Sequence, residues 1–244
     1  MGGFLVNVFV RCDEQKAVTD AAKAVFAPLH PGTTAADSLR AKLKASLAPE
    51  VAARFSSLLA QSGLSKPEQP ACFISHSNGG WVGVHDEAMQ SQDEALCSQV
   101  ARELSQRLDT TAIAFLIHDG DFLCYWLARQ GELLDAYNSM PGYFDEEAEA
   151  TGPSGGDPTQ LAEACGRPDV QAELSAVLAE PDSDAFNQLA QLGSLLGIPD
   201  PHIDYNLLTY VPPQLPPGVT IPVPEPEIPH RDEYVALTLD DFEA

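Results

Sequence analysis

Thr111-Ala-Ile-Ala-Phe-Leu-Ile-His-Asp-Gly-Asp-Phe-Leu-Cys-Tyr-Trp-Leu-Ala-Arg-Gln-Gly-Glu-Leu-Leu-Asp-Ala-Tyr137 holds three runs of strand-forming residues separated by two glycine turns. Residues 111–117 are apolar throughout, the pattern of a central strand covered on one face and largely covered on the other. Asp119-Gly120-Asp121 turns that run into residues 122–128, and Gln130-Gly131 turns these into residues 132–137. Two turns that short join only antiparallel neighbours, so three antiparallel strands in a row follow.

Upstream of the three strands, Leu96, Val100, Leu104 and Leu108 recur every fourth residue behind Ser91-x-x-Glu94, which reads as a capping box opening a helix. Before it, Cys72-Phe-Ile-Ser and Trp81-Val-Gly-Val flank Ser77-Asn-Gly-Gly80, a hairpin. Residues 34–62 carry two short amphipathic patterns split by Pro49 and read as a helical insertion. The chain opens with a β-branched and aromatic run at residues 4–11. A helical stripe of Val18, Ala21, Ala22 and Val25 follows it. The expected class is therefore α+β over residues 1–144. It comprises an antiparallel sheet with helices on one face, in the βαββαβ order of a ferredoxin-like sandwich with an added hairpin. A different α+β sheet with one helical layer is the competing architecture.

Downstream, residues 145–157 are acidic and glycine-rich and read as a surface linker. Residues 158–210 hold three helical patterns: one opened by Asp157-Pro158, one over residues 169–178, and one over residues 182–196 stopped by Gly197-Ile-Pro199. Between Val211 and Pro229 eight of 19 residues are proline, which predicts an extended arm. An acidic peptide with Tyr234, Leu237, Leu239 and Phe242 ends the given sequence. Residues 211–244 together are a proline-rich arm and C-terminal peptide.

Charge separates the two halves. Residues 1–130 carry 11 basic and 14 acidic side chains, a net of −3, whereas residues 131–244 carry 2 and 22, a net of −20. Such a field disfavours nucleic acid and anionic membrane and draws in a basic protein. The opening lacks a basic n-region and no apolar run reaches membrane-spanning length. Five widely spaced cysteines, with no Cys-x-x-Cys, suit reduced thiols. A cytoplasmic protein is expected.

Motifs for chemistry are sparse. Gly152-Pro-Ser-Gly-Gly156 fits Gly-x-Ser-x-Gly, but an acidic stretch stands where a nucleophile elbow needs a buried strand. His76, His85 and His118 sit at strand ends, with Cys72 or Cys97 as conceivable neighbours, and their spacing demands no metal. Cys72 or Cys124 with a histidine would be the candidate nucleophile pair. Asp119-Gly-Asp121 starts like a calcium loop and then fails at Phe122 and Leu123. No cofactor, metal or catalytic residue is expected.

Residues 119–127, then Gly131-Glu-Leu-Leu-Asp-Ala-Tyr-Asn-Ser-x-Pro-x-Tyr-Phe144, then Leu189-x-x-Leu-x-x-Leu-Leu-Gly-Ile-Pro199 resemble a group of uncharacterised bacterial proteins with a D-x-Y-N-S-x-P-x-Y-F segment after a hairpin. That resemblance covers residues 80–200 and implies no activity. The expected function is a non-catalytic interaction protein, adaptor or immunity-like, whose acidic second half binds a basic partner. Tyr234, Leu237, Leu239 and Phe242 would anchor that partner and Asp240 and Asp241 would orient it. Tyr137, Asn138, Tyr143 and Phe144 form a second candidate surface. The alternative is an enzyme or ligand-binding protein with a pocket near Tyr137, Asn138, Tyr143 and His118.

Overall fold

The computed structural model describes residues 3–30, 70–144, 152–211 and 226–242. In chain order the elements are β1 (Leu5–Arg11), α1 (Gln15–Phe26), β2 (Cys72–Ile74), β3 (Trp81–Asp86), α2 (Glu94–Arg107), β4 (Thr111–His118), β5 (Phe122–Arg129), β6 (Glu132–Asn138), β7 (Ser154–Gly155), α3 (Pro158–Ala164), α4 (Gln171–Ala179), α5 (Ala185–Leu196), α6 (Tyr205–Leu208) and β8 (Val235–Leu237). The expected helical insertion at 34–62 lies outside the described residues. Among those described, no helix is long and apolar enough to cross a membrane.

All eight strands join one antiparallel sheet in the order β7-β6-β5-β4-β1-β3-β2-β8. The three consecutive strands read from residues 111–137 are present as β4, β5 and β6. Both connecting turns place two successive residues at positive φ: Asp119 and Gly120 at 53° and 76°, Gln130 and Gly131 at 53° and 88°. This is the type I′ geometry whose twist matches that of the flanking strands.

Strand parity splits the interior into two cores. Val6, Val8 and Val10 of β1 face Val18, Ala22, Val25 and Phe26 of α1 and Cys97, Val100, Ala101 and Leu104 of α2. On the opposite face Leu5, Phe9, Ile113, Phe115 and Tyr125 meet Leu161 of α3, Leu174 of α4, and Leu189, Leu192 and Leu196 of α5. Within residues 1–144 the helices α1 and α2 lie on one face, as expected, and the late helices cover the other as a second layer. They are not a separate unit, because burying the apolar face of β1, β4 and β5 requires them.

Two local readings also change. α2 is capped by Asp93, whose carboxylate accepts from the N–H groups of Ala95 and Leu96, while Ser91 belongs to the preceding short turn. An acid one residue from the helix does the work assigned to the Ser91 capping box. The reading of residues 145–157 as linker gives way at β7, where Ser154 and Gly155 pair with Asn138 and Tyr137. Gly155 sits at φ +69°, and an added Cβ would press on the Ala136 carbonyl oxygen. Gly155→Ala is expected to cost about 2 kcal/mol through backbone strain. Its signature is faster hydrogen exchange at Gly156, whose N–H donates to that carbonyl.

Candidate functional site

β4 ends in His118, and the turn to β5 brings Phe122 back beneath it, with the rings stacked at 5.7 Å. Three further rings converge on the same imidazole edge-on: Phe4 at 4.8 Å, Tyr143 at 5.7 Å and Phe144 at 5.0 Å. Gln92 locks the hub. Its side-chain N–H donates to the Ile117 carbonyl, which leaves its oxygen to accept from His118 Nδ1 at 2.6 Å. This arrangement assigns the proton to Nδ1 and turns Nε2 toward Asp119, 3.8 Å away. The Tyr143 hydroxyl donates to Asp121.

The cluster is open to solvent. Phe144 is 70% exposed and Phe4 45%, with Met140 also exposed. Asp93, Glu94, Asp119 and Asp121 stand in or beside the elements that build it, and Asp145, Glu146 and Glu147 follow Phe144 in sequence. Basic groups gather at the other end of the sheet. Arg129 lies opposite Thr111, Arg102 donates to the Gly131 carbonyl, and the Arg11 carbonyl accepts from Thr110.

The four residues of the expected pocket are not brought together. Tyr137 points to the opposite core, buried, stacked on Tyr125 at 5.5 Å, its hydroxyl donating to the Leu178 carbonyl and accepting from Gln188. Tyr137 belongs to the core under α3, α4 and α5, whereas Tyr143, in the turn after β6, packs against the α1/α2 core, so the two do not share a surface. Asn138 is structural here, its side-chain oxygen accepting from the Met140 N–H. His118, Tyr143 and Phe144 are the members that meet.

The C-terminal anchors are also redistributed. β8 forms the edge of the sheet beside β2, Ile74 opposite Val235 and Cys72 opposite Leu237. Leu237 and Phe242 are buried in the α1/α2 core at 3% and 5% exposure, so in this conformation they serve the chain itself rather than a partner. Asp241 pairs with Lys23 at 3.1 Å and caps Thr238, while Leu239 and Asp240 stay exposed and Tyr234 is half-buried. The length-three strand in an acidic tail left no alternating signal from which this docking might have been read.

Nucleophile chemistry finds little support. Burial pushes the Cys97 and Cys165 thiols up to about 12 and raises Cys72 and Cys124 as well. A thiol held protonated in an apolar core is inert. Ser154 of the Gly-x-Ser-x-Gly stretch lies exposed on the outermost strand rather than behind a buried one. The chain matches no protein-family model, no curated protein and no solved structure.

Proposed function

We propose that this is a non-catalytic interaction protein, adaptor or immunity-like, that grips a basic segment of a partner protein on the aromatic end of its sheet. The observation that carries this reading is the His118 hub, with Phe4, Tyr143 and Phe144 presented to solvent amid Asp119, Asp121 and the acids around α2's start. Arginine or lysine on the partner would stack on the aromatic faces while the carboxylates supply long-range attraction. The overall charge of −23 extends that attraction. Leu239 and Asp240 offer a smaller secondary contact.

The connection β1-α1-β2-β3-α2-β4 with the internal order β4-β1-β3-β2 supports a ferredoxin-like core extended by β5 and β6. Free cysteines, four of them buried, support a reducing, cytoplasmic setting. We propose that the chain belongs with the group of bacterial proteins that its D-x-Y-N-S-x-P-x-Y-F segment resembles, and Tyr143 and Phe144 of that segment contribute to the proposed surface.

The test is fluorescence anisotropy with a labelled peptide of about 12 alternating arginine and leucine residues. Phe4→Ala with Phe144→Ala is expected to weaken binding at least tenfold, as loss of two exposed aromatic anchors does. Asp119→Asn with Asp121→Asn should mainly slow association and flatten its salt dependence. Equal affinity for the wild type and the aromatic double variant would mean that the chain acts only as a polyanion, and the reading fails.

A further inference from the structure

We infer that His76, His230 and Glu233 form a site for a divalent d-block cation, Zn²⁺ by donor type, that clamps the C-terminal segment to the sheet. His76 stands in the loop between β2 and β3; His230 and Glu233 flank the short turn that leads into β8. The two imidazoles lie 4.9 Å apart, and one donor atom from each of the three residues falls within 4.8 Å of the other two. Two imidazole nitrogens and a carboxylate oxygen are the ligand set of three-ligand zinc sites, with metal–donor distances of about 2.0–2.2 Å and a fourth position left open.

A polar cluster without a metal would satisfy its own atoms, and this one does not. Glu233 pairs with His230 Nδ1 at 3.0 Å, but its other oxygen stops 4.0 Å from His76 Nδ1. That nitrogen is shielded from solvent and has no hydrogen-bond partner. A cation between the rings would occupy the orphaned position. Donor atoms around a tetrahedral metal are roughly 3.3 Å apart by those bond lengths, so the side chains must close by about an ångström or slightly more. His230 and Glu233 are 57% and 50% exposed, which leaves room for that movement. Their backbone is already held against the sheet: the Gln15 side-chain amide donates to the carbonyls of both Ile74 and Glu233.

One ligand comes from the body and two from a segment reached only through residues 212–225, so the complete site exists only when β8 is docked. Metal that binds the docked form alone shifts the chain toward it by mass action. Bound metal would thus hold β8 on the edge of the sheet.

The experiment titrates Zn²⁺ into the full, chelator-treated chain against a chromophoric competitor, and follows hydrogen exchange of the Tyr234–Leu237 amides with and without metal. One equivalent is expected to bind, Mg²⁺ and Ca²⁺ are not, and Zn²⁺ should slow exchange at those amides. His76→Ala, His230→Gln and Glu233→Gln should each weaken binding at least tenfold and abolish the slowing. His230→Gln alters an exposed side chain and leaves the body intact. Cys12→Ser, which removes the one thiol that is not buried, should change nothing. No saturable binding below about 0.1 mM, or binding that survives all three ligand substitutions, overturns the site. Binding that depends on the three residues but leaves β8 exchange unaltered overturns the clamp.

Discussion

Asp86→Asn is expected to lower the free energy of unfolding by about 3 kcal/mol near pH 5.5 and by distinctly less near pH 9. Asp86 ends β3 fully buried, and both its oxygens lie within hydrogen-bond distance of His30 Nε2, at 2.9 and 3.0 Å. Burial by itself would lower His30, but the facing Asp86 carboxylate outweighs it and leaves the imidazole raised above 6.5. Burial likewise pushes the Asp86 carboxyl up, with His30 opposing it. Because the folded pKa of His30 exceeds the unfolded one, its contribution is present below pH 6.5, down to where the raised Asp86 carboxyl protonates, and is lost as pH rises through the folded value. Asparagine keeps an oxygen to accept from the Ala88 N–H that caps the following turn, and it replaces the second oxygen facing His30 with a donor. Urea unfolding at the two pH values measures the effect; a loss that grows with pH contradicts the assignment.

Asn7→Leu should cost about 3 kcal/mol or more, since it strands several buried polar groups at once. Asn7 is an amide in the middle of an apolar central strand. Its NH₂ donates to the carbonyls of Pro201 and Ile203 at 2.8 and 2.6 Å, which leaves its oxygen to accept from His85 Nδ1 at 2.9 Å. Burial lowers His85 to about 3, so the ring is neutral and this proton has one place to go. Leucine fits the hydrophobic pattern better than asparagine and still destabilises, because the loop from Pro199 to Asp204 loses its tie to β1. Equilibrium unfolding gives the magnitude, and accelerated exchange at Ile203, whose N–H donates to the Asp200 carbonyl, locates it. A variant as stable as the wild type would refute the role assigned to Asn7.

Local chemistry was legible in the sequence, and long-range packing was not. The turns at Asp119-Gly120 and Gln130-Gly131 announced β4, β5 and β6 because only particular residues tolerate two positive φ angles in succession. Asp157-Pro158 likewise marked the start of α3 through its cap. The second helical layer was half-written in residues 111–117 and 122–128, whose continuous apolarity requires cover on both faces. An apolar stripe on α5 does not say which surface it meets.

The candidate site divides in the same way. Tyr143 and Phe144 stood out as aromatics after a strand, but their separation from Tyr137 arises in the turn after Asn138, where strand alternation no longer applies. Asn7 carried a signal that hydrophobic patterning passes over: a polar side chain inside an unbroken apolar run. The meeting of His76 with His230, 154 positions apart, rests on β8 pairing with β2, which no spacing rule reaches.

The tethering of β8 sets the terms on which anything else can reach β2. A strand held to the same chain by a linker of this order faces its partner edge at an effective concentration on the order of millimolar. A free peptide copying residues 226–242, which binds with the same intrinsic affinity, must exceed that level to displace it. Cutting the chain ahead of Pro226 converts this intramolecular contest into a bimolecular one, decided by the affinity and concentration of each competitor.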